Sequence, residues 1–370
     1  MRHRPMGAHL SLKRMAQECA RGWALSREDH QFATLDLLRG IAALAVVTLH
    51  FRRQLGYNLL PHSYLAVDFF FVLSGFVLAH AYEQRLLSGM TGFQFLRIRL
   101  IRLYPLYLMG TVIGMATQTK YIVSGGWSTL LEVASALAFL PYPRGQWLLY
   151  PFDGAAWSLF FELAANAAFA FLILHLTNGR LAFAAIASLG IAAIYFGSLE
   201  IGNSPLNFLG GFPRVGFSFF AGVLIYRLWQ GSTWRPALPL WCVSVVLVLI
   251  FAVGKTATLG GAYDFLAALI FPVIVYVAAS REPSPWFRPI CLWLGAISYA
   301  LYITHLPLRE AADGMAKATL GASLANGAPW TGLLMISIAI VLAAALSAID
   351  PILRRAISRR AFRTRSALAG

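Results

Sequence analysis

The sequence predicts an all-α integral membrane protein, a bundle of about ten transmembrane helices with both termini in the cytoplasm. Three observations predict it. First, of 370 residues 59% are hydrophobic and only 12% charged, with a mean hydropathy of +0.67. A soluble domain carries about 25% charged residues, so this chain has too few to cover a water-facing surface. Second, the apolar residues fall into stretches of bilayer length. Third, the basic residues are distributed unevenly between alternate loops. Together these exclude a disordered chain and an ordinary soluble enzyme. The net charge of +15 would on its own suggest nucleic acid, but basic cytoplasmic loops account for it more simply.

The apolar stretches run over 35–53, 64–83, 103–121, 157–177, 180–198, 213–230, 237–254, 261–279, 290–311 and 329–349. At 1.5 Å of rise per residue each matches a hydrocarbon core of about 30 Å. β-barrel strands would be half as long and would alternate in polarity. Residues 128–150 are apolar but interrupted by Glu132, Arg144 and two prolines. They read as an interfacial or re-entrant piece. With the N-terminus inside, 21 of the 30 Lys and Arg lie on the cytoplasmic side and 8 outside, and Arg39 lies within the first span. That bias orients the bundle. The chain divides into a basic N-terminal tail (1–34), a membrane domain (35–350) and a basic C-terminal tail (351–370). The N-terminus has no apolar h-region and is no signal peptide. Three scattered cysteines suggest neither disulfides nor a metal site.

Ionisable groups inside a membrane are costly, which makes them functional candidates. They sort by depth. An outer layer holds His50, Asp68, Glu162 and His305, two imidazoles and two carboxylates suited to moving a proton to and from a hydroxyl. An inner layer holds Arg39 and, entering the third span, Arg99 and Arg102, with Arg97 beside them. Arginine forks suit phosphate. Arg39 and His50 are eleven residues apart, about 16 Å and three turns on one helix. A ligand with a phosphate end and a long thin arm could touch both, and coenzyme A has that shape. The competing reading is structural: the arginines as positive-inside anchors, His50 as a solvated end residue, Asp68 and Glu162 in ion pairs with Arg52, Arg53 or Arg214. His80 and His175 read as snorkelling residues near inner ends.

At this point the motifs resemble a family. LDLLRGIAALAVVTLHF (35–51), VDFFFVLSGFV (67–77), RLIRLYPLY (99–107), WSLFFE (157–162) and LGAISYALYITHLP (294–307) are similar, in order, to five motifs of the membrane-bound acyltransferase-3 family. Arg39 and His50 match its R-x10-H pattern. The run after Glu162 departs from the family pattern. Some relatives carry a further soluble domain after the last span, whereas here about 20 basic residues follow, which suggests a stand-alone membrane domain. The resemblance implies an O-acyltransferase of the bacterial inner membrane. It would move an acyl group, commonly acetyl, from cytosolic acyl-CoA to a hydroxyl of a cell-surface carbohydrate or lipid-linked glycan. No metal and no nucleic acid are expected.

On that reading Arg39, Arg99, Arg102 and Tyr104 bind the donor. His50 is the general base, and Glu162 or Asp68 orients its imidazole. Ser74, Ser158, Tyr299 and His305 are candidates for contacting the oxyanion or substrate. An acyl-His intermediate is a variant of the same chemistry. Pro105 suits the entry of a helix, where a missing N–H costs nothing, and Gly75 suits close helix packing. The alternatives are a proton-coupled transporter or flippase, and an acyltransferase with a small-molecule acceptor. The absence of an internal repeat weighs against the transporter.

Overall fold

The computed structural model describes residues 32–142, 148–236, 238–254 and 260–367, with side chains described through residue 357. Nearly all of the predicted N-terminal tail, Cys19, Arg144 and Lys255 lie outside these residues. So do the side chains of Arg359, Arg360, Arg363 and Arg365 in the C-terminal run. Among the described residues all regular structure is helical. The elements are α1 (Ala33–His50), α2 (Ala66–Leu87), α3 (Gly92–Thr117), α4 (Gly126–Leu137), α5 (Trp157–Leu172), α6 (Asn178–Phe196), α7 (Gly211–Gly231), α8 (Leu240–Ala252), α9 (Ala262–Ala279), α10 (Arg288–Leu320) and α11 (Trp330–Ala367). Nine segments among the described residues are long and apolar enough to cross a membrane, and α8 is apolar but shorter. Each of the ten predicted spans therefore has its helix. Within the interrupted segment 128–150 the helical part is residues 128–137 of α4, whose 12 residues reach about 18 Å, short of the bilayer core.

Several boundaries move for identifiable reasons. α1 stops at His50 because the backbone leaves helical geometry at Phe51 (ψ 11°) before the short turn Arg52–Leu55. α3 starts eleven residues earlier than predicted, behind a capping box. The Gln94 amide donates to Thr91 Oγ1 at 3.2 Å, and the Thr91 amide to Gln94 Oε1 at 2.9 Å. A cap of this kind satisfies two of the otherwise orphaned N–H groups and fixes the start. Arg97, Arg99 and Arg102 consequently lie inside the helix, and Pro105 is internal to it, not at its entry as the sequence suggested. α10 and α11 run well past their predicted ends, each through an internal proline, Pro307 and Pro351.

The closest packing pairs α1 with α10 and α2 with α7. At the second contact Gly75 faces the Phe219 carbonyl and Gly222 the Val72 carbonyl, each so close that a Cβ on the glycine would overlap the neighbouring backbone. This is the small-residue packing expected where no hydrophobic effect drives helices together. The bundle has two distinct ends. At one, Thr34 Oγ1 donates to the Arg281 carbonyl at 2.5 Å, close to Arg39 in sequence. At the other, His62 Nδ1 meets the Val253 carbonyl at 2.6 Å, beyond His50. We call these the Arg39 end and the His50 end.

Candidate active site

His50 is the last residue of α1, and His305 lies on α10, the helix packed most closely against it. Their rings are 5.0 Å apart between centroids. His305 is fully buried, and its Nδ1 is 2.6 Å from the Tyr302 carbonyl of its own helix. A carbonyl only accepts, so Nδ1 carries the proton and Nε2 presents a lone pair. That Nε2 is buried and has no partner among the described residues. Ser158, at the start of α5, shares a 2.7 Å hydrogen bond with the Tyr302 hydroxyl and donates to the Ala155 carbonyl at 3.2 Å. On the other flank Arg309 Nη1 donates to the His50 carbonyl at 3.1 Å. Two imidazoles, two hydroxyls and a guanidinium therefore converge at one depth.

The two carboxylates expected beside His50 are elsewhere. Asp68 is fully buried and held by Arg214, with Nη2 2.7 Å from Oδ2 and Nε 3.0 Å from Oδ1. Arg214 also donates to the carbonyls of Tyr64 and Ile201, and its guanidinium lies over the Trp157 ring. Both oxygens of Asp68 are thus occupied in joining α2 to α7. Of the pairings considered for it from sequence, Arg214 is the one formed. Glu162 lies on α5 in the middle of the bundle, where Oε1 accepts from Arg99 Nη2 at 2.8 Å and from Ser74 at 2.7 Å. With its amide oxygen turned to Arg99, Asn166 accepts from Nε at 3.1 Å and completes this cluster. Among the described residues no hydrogen bond or ion pair joins either carboxylate to His50. Depth misled here: Glu162 is five residues into α5, but α5 enters beyond a long loop, and its acid meets α3.

The same geometry redistributes the inner cations. Arg99 is 5% exposed and committed to Glu162, so it does not face the Arg39 end as a docking group. Arg39 is half-buried and paired with Asp36 at 2.7 Å. Arg102 is exposed and makes no ion pair among the described residues. It lies near enough to Asp36 and to the Asp350–Arg354 pair for their charges to interact. Arg288 stands by Asp36 as well. Among the described residues, Asp36 and Asp350 thus have four guanidiniums, Arg39, Arg102, Arg288 and Arg354, close enough to interact with them. Sequence reasoning assigned Arg288 and Arg354 to membrane orientation alone.

Two other candidates are occupied. The Tyr104 hydroxyl donates to the Leu137 carbonyl at 2.7 Å, tying α3 to the end of α4. The Tyr299 hydroxyl donates to the Leu103 carbonyl at 2.6 Å. His80 does not snorkel: it packs edge-on to Phe32 and Tyr226.

One residue that sequence reasoning did not select is Asp153, in the loop before α5. It is fully buried; Oδ1 accepts from the Ala155 amide at 3.2 Å, while Oδ2 has no partner among the described residues. A Cβ on Gly110 would stand 2.9 Å from Oδ2 and 2.8 Å from the Ile303 carbonyl, so those two oxygens line the same spot. Burial, with Glu310 adding to it, pushes the Asp153 carboxyl well above the usual carboxylate range.

Comparison with known proteins bears on what this arrangement is for. The model of the acyltransferase-3 family, described as an acyltransferase domain, matches residues 32–349. The chain belongs to the acyltransferase-3 family. It is similar to protein 2 in the picA locus of Rhizobium radiobacter, 38% identical over 161 residues that cover 38% of this chain and 81% of that protein. It is also similar to the exopolysaccharide production protein ExoZ of Rhizobium meliloti (strain 1021), 26% identical over 302 residues, 80% of this chain and 90% of ExoZ. A third relative is the peptidoglycan O-acetyltransferase OatA of Listeria monocytogenes, 24% identical over 323 residues, 74% of this chain and 49% of OatA. The chain thus spans about half of OatA. No solved structure matches. The protein is an integral membrane acyltransferase of this family.

Proposed function

We propose that this acyltransferase moves a short acyl group, acetyl in the first instance, from cytosolic acyl-CoA to a hydroxyl of a cell-surface carbohydrate. The observation that carries the reading is the His50–His305 pair, in which His305 is buried, its tautomer fixed and its Nε2 unused. Such a pair accepts a proton from a hydroxyl without needing a metal or a carboxylate. The names of ExoZ and OatA support the carbohydrate acceptor, and the guanidiniums of Arg39, Arg102, Arg288 and Arg354 support a phosphate-bearing donor.

The chemistry then runs as follows. The donor's phosphates rest at the Arg39 end and its arm extends along α1 toward His50. The acceptor oxygen attacks the thioester carbonyl and gives its proton to an imidazole of the pair. Ser158 and Tyr302, beside His305, donate to the oxygen on which negative charge develops. Collapse breaks the C–S bond, and the leaving thiolate takes the proton from the imidazolium. The Arg39 end faces the cytoplasm of a bacterial inner membrane on this reading, as the bias of basic residues favours.

The test is purified protein in nanodiscs with acyl-labelled acetyl-CoA and a membrane-derived glycan fraction. Label should become covalently attached to the glycan with release of one thiol per acyl group. His50→Ala should abolish both while leaving insertion and thermal stability intact. Glycan crossing the membrane without acquiring label would favour transport, and full activity of His50→Ala would remove the base assignment.

A further inference from the structure

The chain turns immediately after His50. Phe51 is fully buried, Arg52 and Arg53 are exposed, and Gln54 and Leu55 are buried again. The turn closes at Gly56 with φ +81°, a conformation that favours glycine. It is packed against α11, where Gly332 lies so close to the Gln54 and Leu55 backbone that a Cβ on it would overlap them. Two arginines are therefore presented on a fixed turn at the His50 end. They line an open cavity of about 400 Å³ with Gly56, Tyr57, Asn58 and Ala325.

The charges here are not balanced. Two other cations at this end are neutralised, Arg214 by Asp68 and Lys317 by Asp313 at 2.8 Å. Arg52 and Arg53 meet no carboxylate among the described residues; Arg52 Nη1 reaches only the Leu49 carbonyl, at 3.3 Å. Arg309, the neighbour of His50, is close enough to feel both. Arg309 also feels Glu310, 3.8 Å away, and Asp313, which is already paired with Lys317. Three guanidiniums thus stand close together with Glu310 loosely placed beside one of them. Like charges so arranged repel unless an anion joins them. Arginine forks match carboxylate and phosphate oxygens in pairs. Tyr57 adds an apolar face, and the Asn58 amide can both donate to and accept from hydroxyls.

We infer that the Arg52–Arg53–Arg309 mouth binds an anionic sugar residue of the acceptor, one bearing a carboxylate or phosphate. This inference rests on the acyltransferase reading for the word acceptor, and on the cavity itself for the anion. A charged residue held at Arg52 lies next to the end of α1, which brings a hydroxyl of the same or the adjoining sugar toward His50. The substrate class is then an acidic glycan, and its charge serves positioning as well as affinity.

The experiment measures binding directly, without acyl donor, in nanodiscs of zwitterionic lipid. The probes are the trimer of galacturonic acid and its methyl ester, which share rings and linkages and differ in charge. The acid should bind at least tenfold more tightly than the ester, and salt should weaken it. Arg52→Ala/Arg53→Ala should remove the difference, and Arg52→Lys/Arg53→Lys should retain part of it. Equal binding of acid and ester by the wild type, or no binding of the acid, overturns the inference, and this comparison needs no variant to fold. If the alanine pair leaves trimer binding intact but loses association with phosphatidylglycerol vesicles, the arginines contact lipid and the inference fails. Binding of the acid without any thiol release from acetyl-CoA would sink the acyltransferase reading and leave the anion site standing. Acyl transfer with no preference for charge would do the reverse.

Discussion

Asp153 offers the most demanding test of the site's construction. Pro307 lies inside α10 and has no N–H to return to the Ile303 carbonyl one turn earlier. That carbonyl and Asp153 Oδ2 line the same spot, opposite Gly110. Two acceptors side by side in a buried site would repel, unless one carries a proton. Burial pushes the Asp153 carboxyl well above the usual carboxylate range, and a protonated Oδ2 would supply the donor that the missing amide does not. Such a bond would fasten the loop before α5 to α10, two residues from His305. Asp153→Ala removes this donor and also the acceptor for the Ala155 amide. Each unsatisfied buried group costs about 1–3 kcal/mol, so the variant should lose roughly 2–6 kcal/mol. Asp153→Asn keeps both, through its NH2 and its carbonyl, and should lose little.

The pH dependence has a definite sign. A carboxyl whose pKa is raised in the folded state contributes stability that is fully present below its ordinary value and is lost as pH rises through the raised one. Asn cannot ionise, so Asp153→Asn should overtake the wild type as pH increases. The assay is the thermal inactivation midpoint in detergent at a fixed scan rate, from pH 5 to pH 9, with transfer activity alongside. If Asp153→Asn is as damaged as Asp153→Ala at low pH, the protonated acid is not the donor and the reasoning fails.

The remaining predictions use the same structure. His305→Ala should lower kcat strongly with little change in KM for the donor, since it removes an imidazole and no phosphate contact; an unchanged kcat would leave His50 acting alone. Arg102→Ala should raise KM for acyl-CoA with kcat largely kept, and equal KM values would remove it from the donor site. Arg99→Ala should instead destabilise by about 1–3 kcal/mol, because the half-buried Glu162 loses the guanidinium that pairs with it. Replacing both, Arg99→Met with Glu162→Leu, should restore the thermal midpoint, and its failure to do so would mean the pair is more than structural. Gly222→Leu should prevent α2 and α7 from closing, which detergent-solubilised yield and thermal midpoint would register.

The spans were legible in the sequence because bilayer thickness imposes their length and the loss of water makes their composition unmistakable. The positions of His50 and His305 at one depth were legible for a related reason: helical rise is fixed, so distance along a span is distance through the membrane. What depth could not give is azimuth. Asp68 and Glu162 were assigned to the right helices and turned to the wrong neighbours. Which face of α2 or α5 looks at which helix depends on packing at positions such as Gly75 and Gly222, and on loops whose course no periodicity records. Arg99 shows the same limit. The sequence grouped it with Arg102 at the entry of the third span, but the capping box at Thr91 starts α3 early enough to carry Arg99 into the bundle, while Arg102 stays at the rim.

A consequence follows for how this bundle separates structure from chemistry. The carboxylates of Asp68, Glu83 and Glu162 are each held by an arginine of another helix, Arg214, Arg227 and Arg99. Such pairs cost more desolvation than they return unless their hydrogen bonds are complete, so they specify which helices meet. The imidazoles of the His50–His305 pair, by contrast, engage no carboxylate among the described residues, and the Arg309 guanidinium beside them reaches the His50 backbone carbonyl and Glu310. A histidine locked to an acid would be committed to one protonation state. A histidine held by a backbone carbonyl, as His305 is, keeps a fixed tautomer while its other nitrogen stays free to gain and lose a proton. The placement of the acids away from the histidines is therefore a condition for the proposed chemistry. Installing one is the direct check: Tyr302→Glu, one turn from His305, should slow transfer well beyond Tyr302→Phe, which removes only the hydroxyl, and equal rates for the two would show that the pair's freedom from acids is incidental.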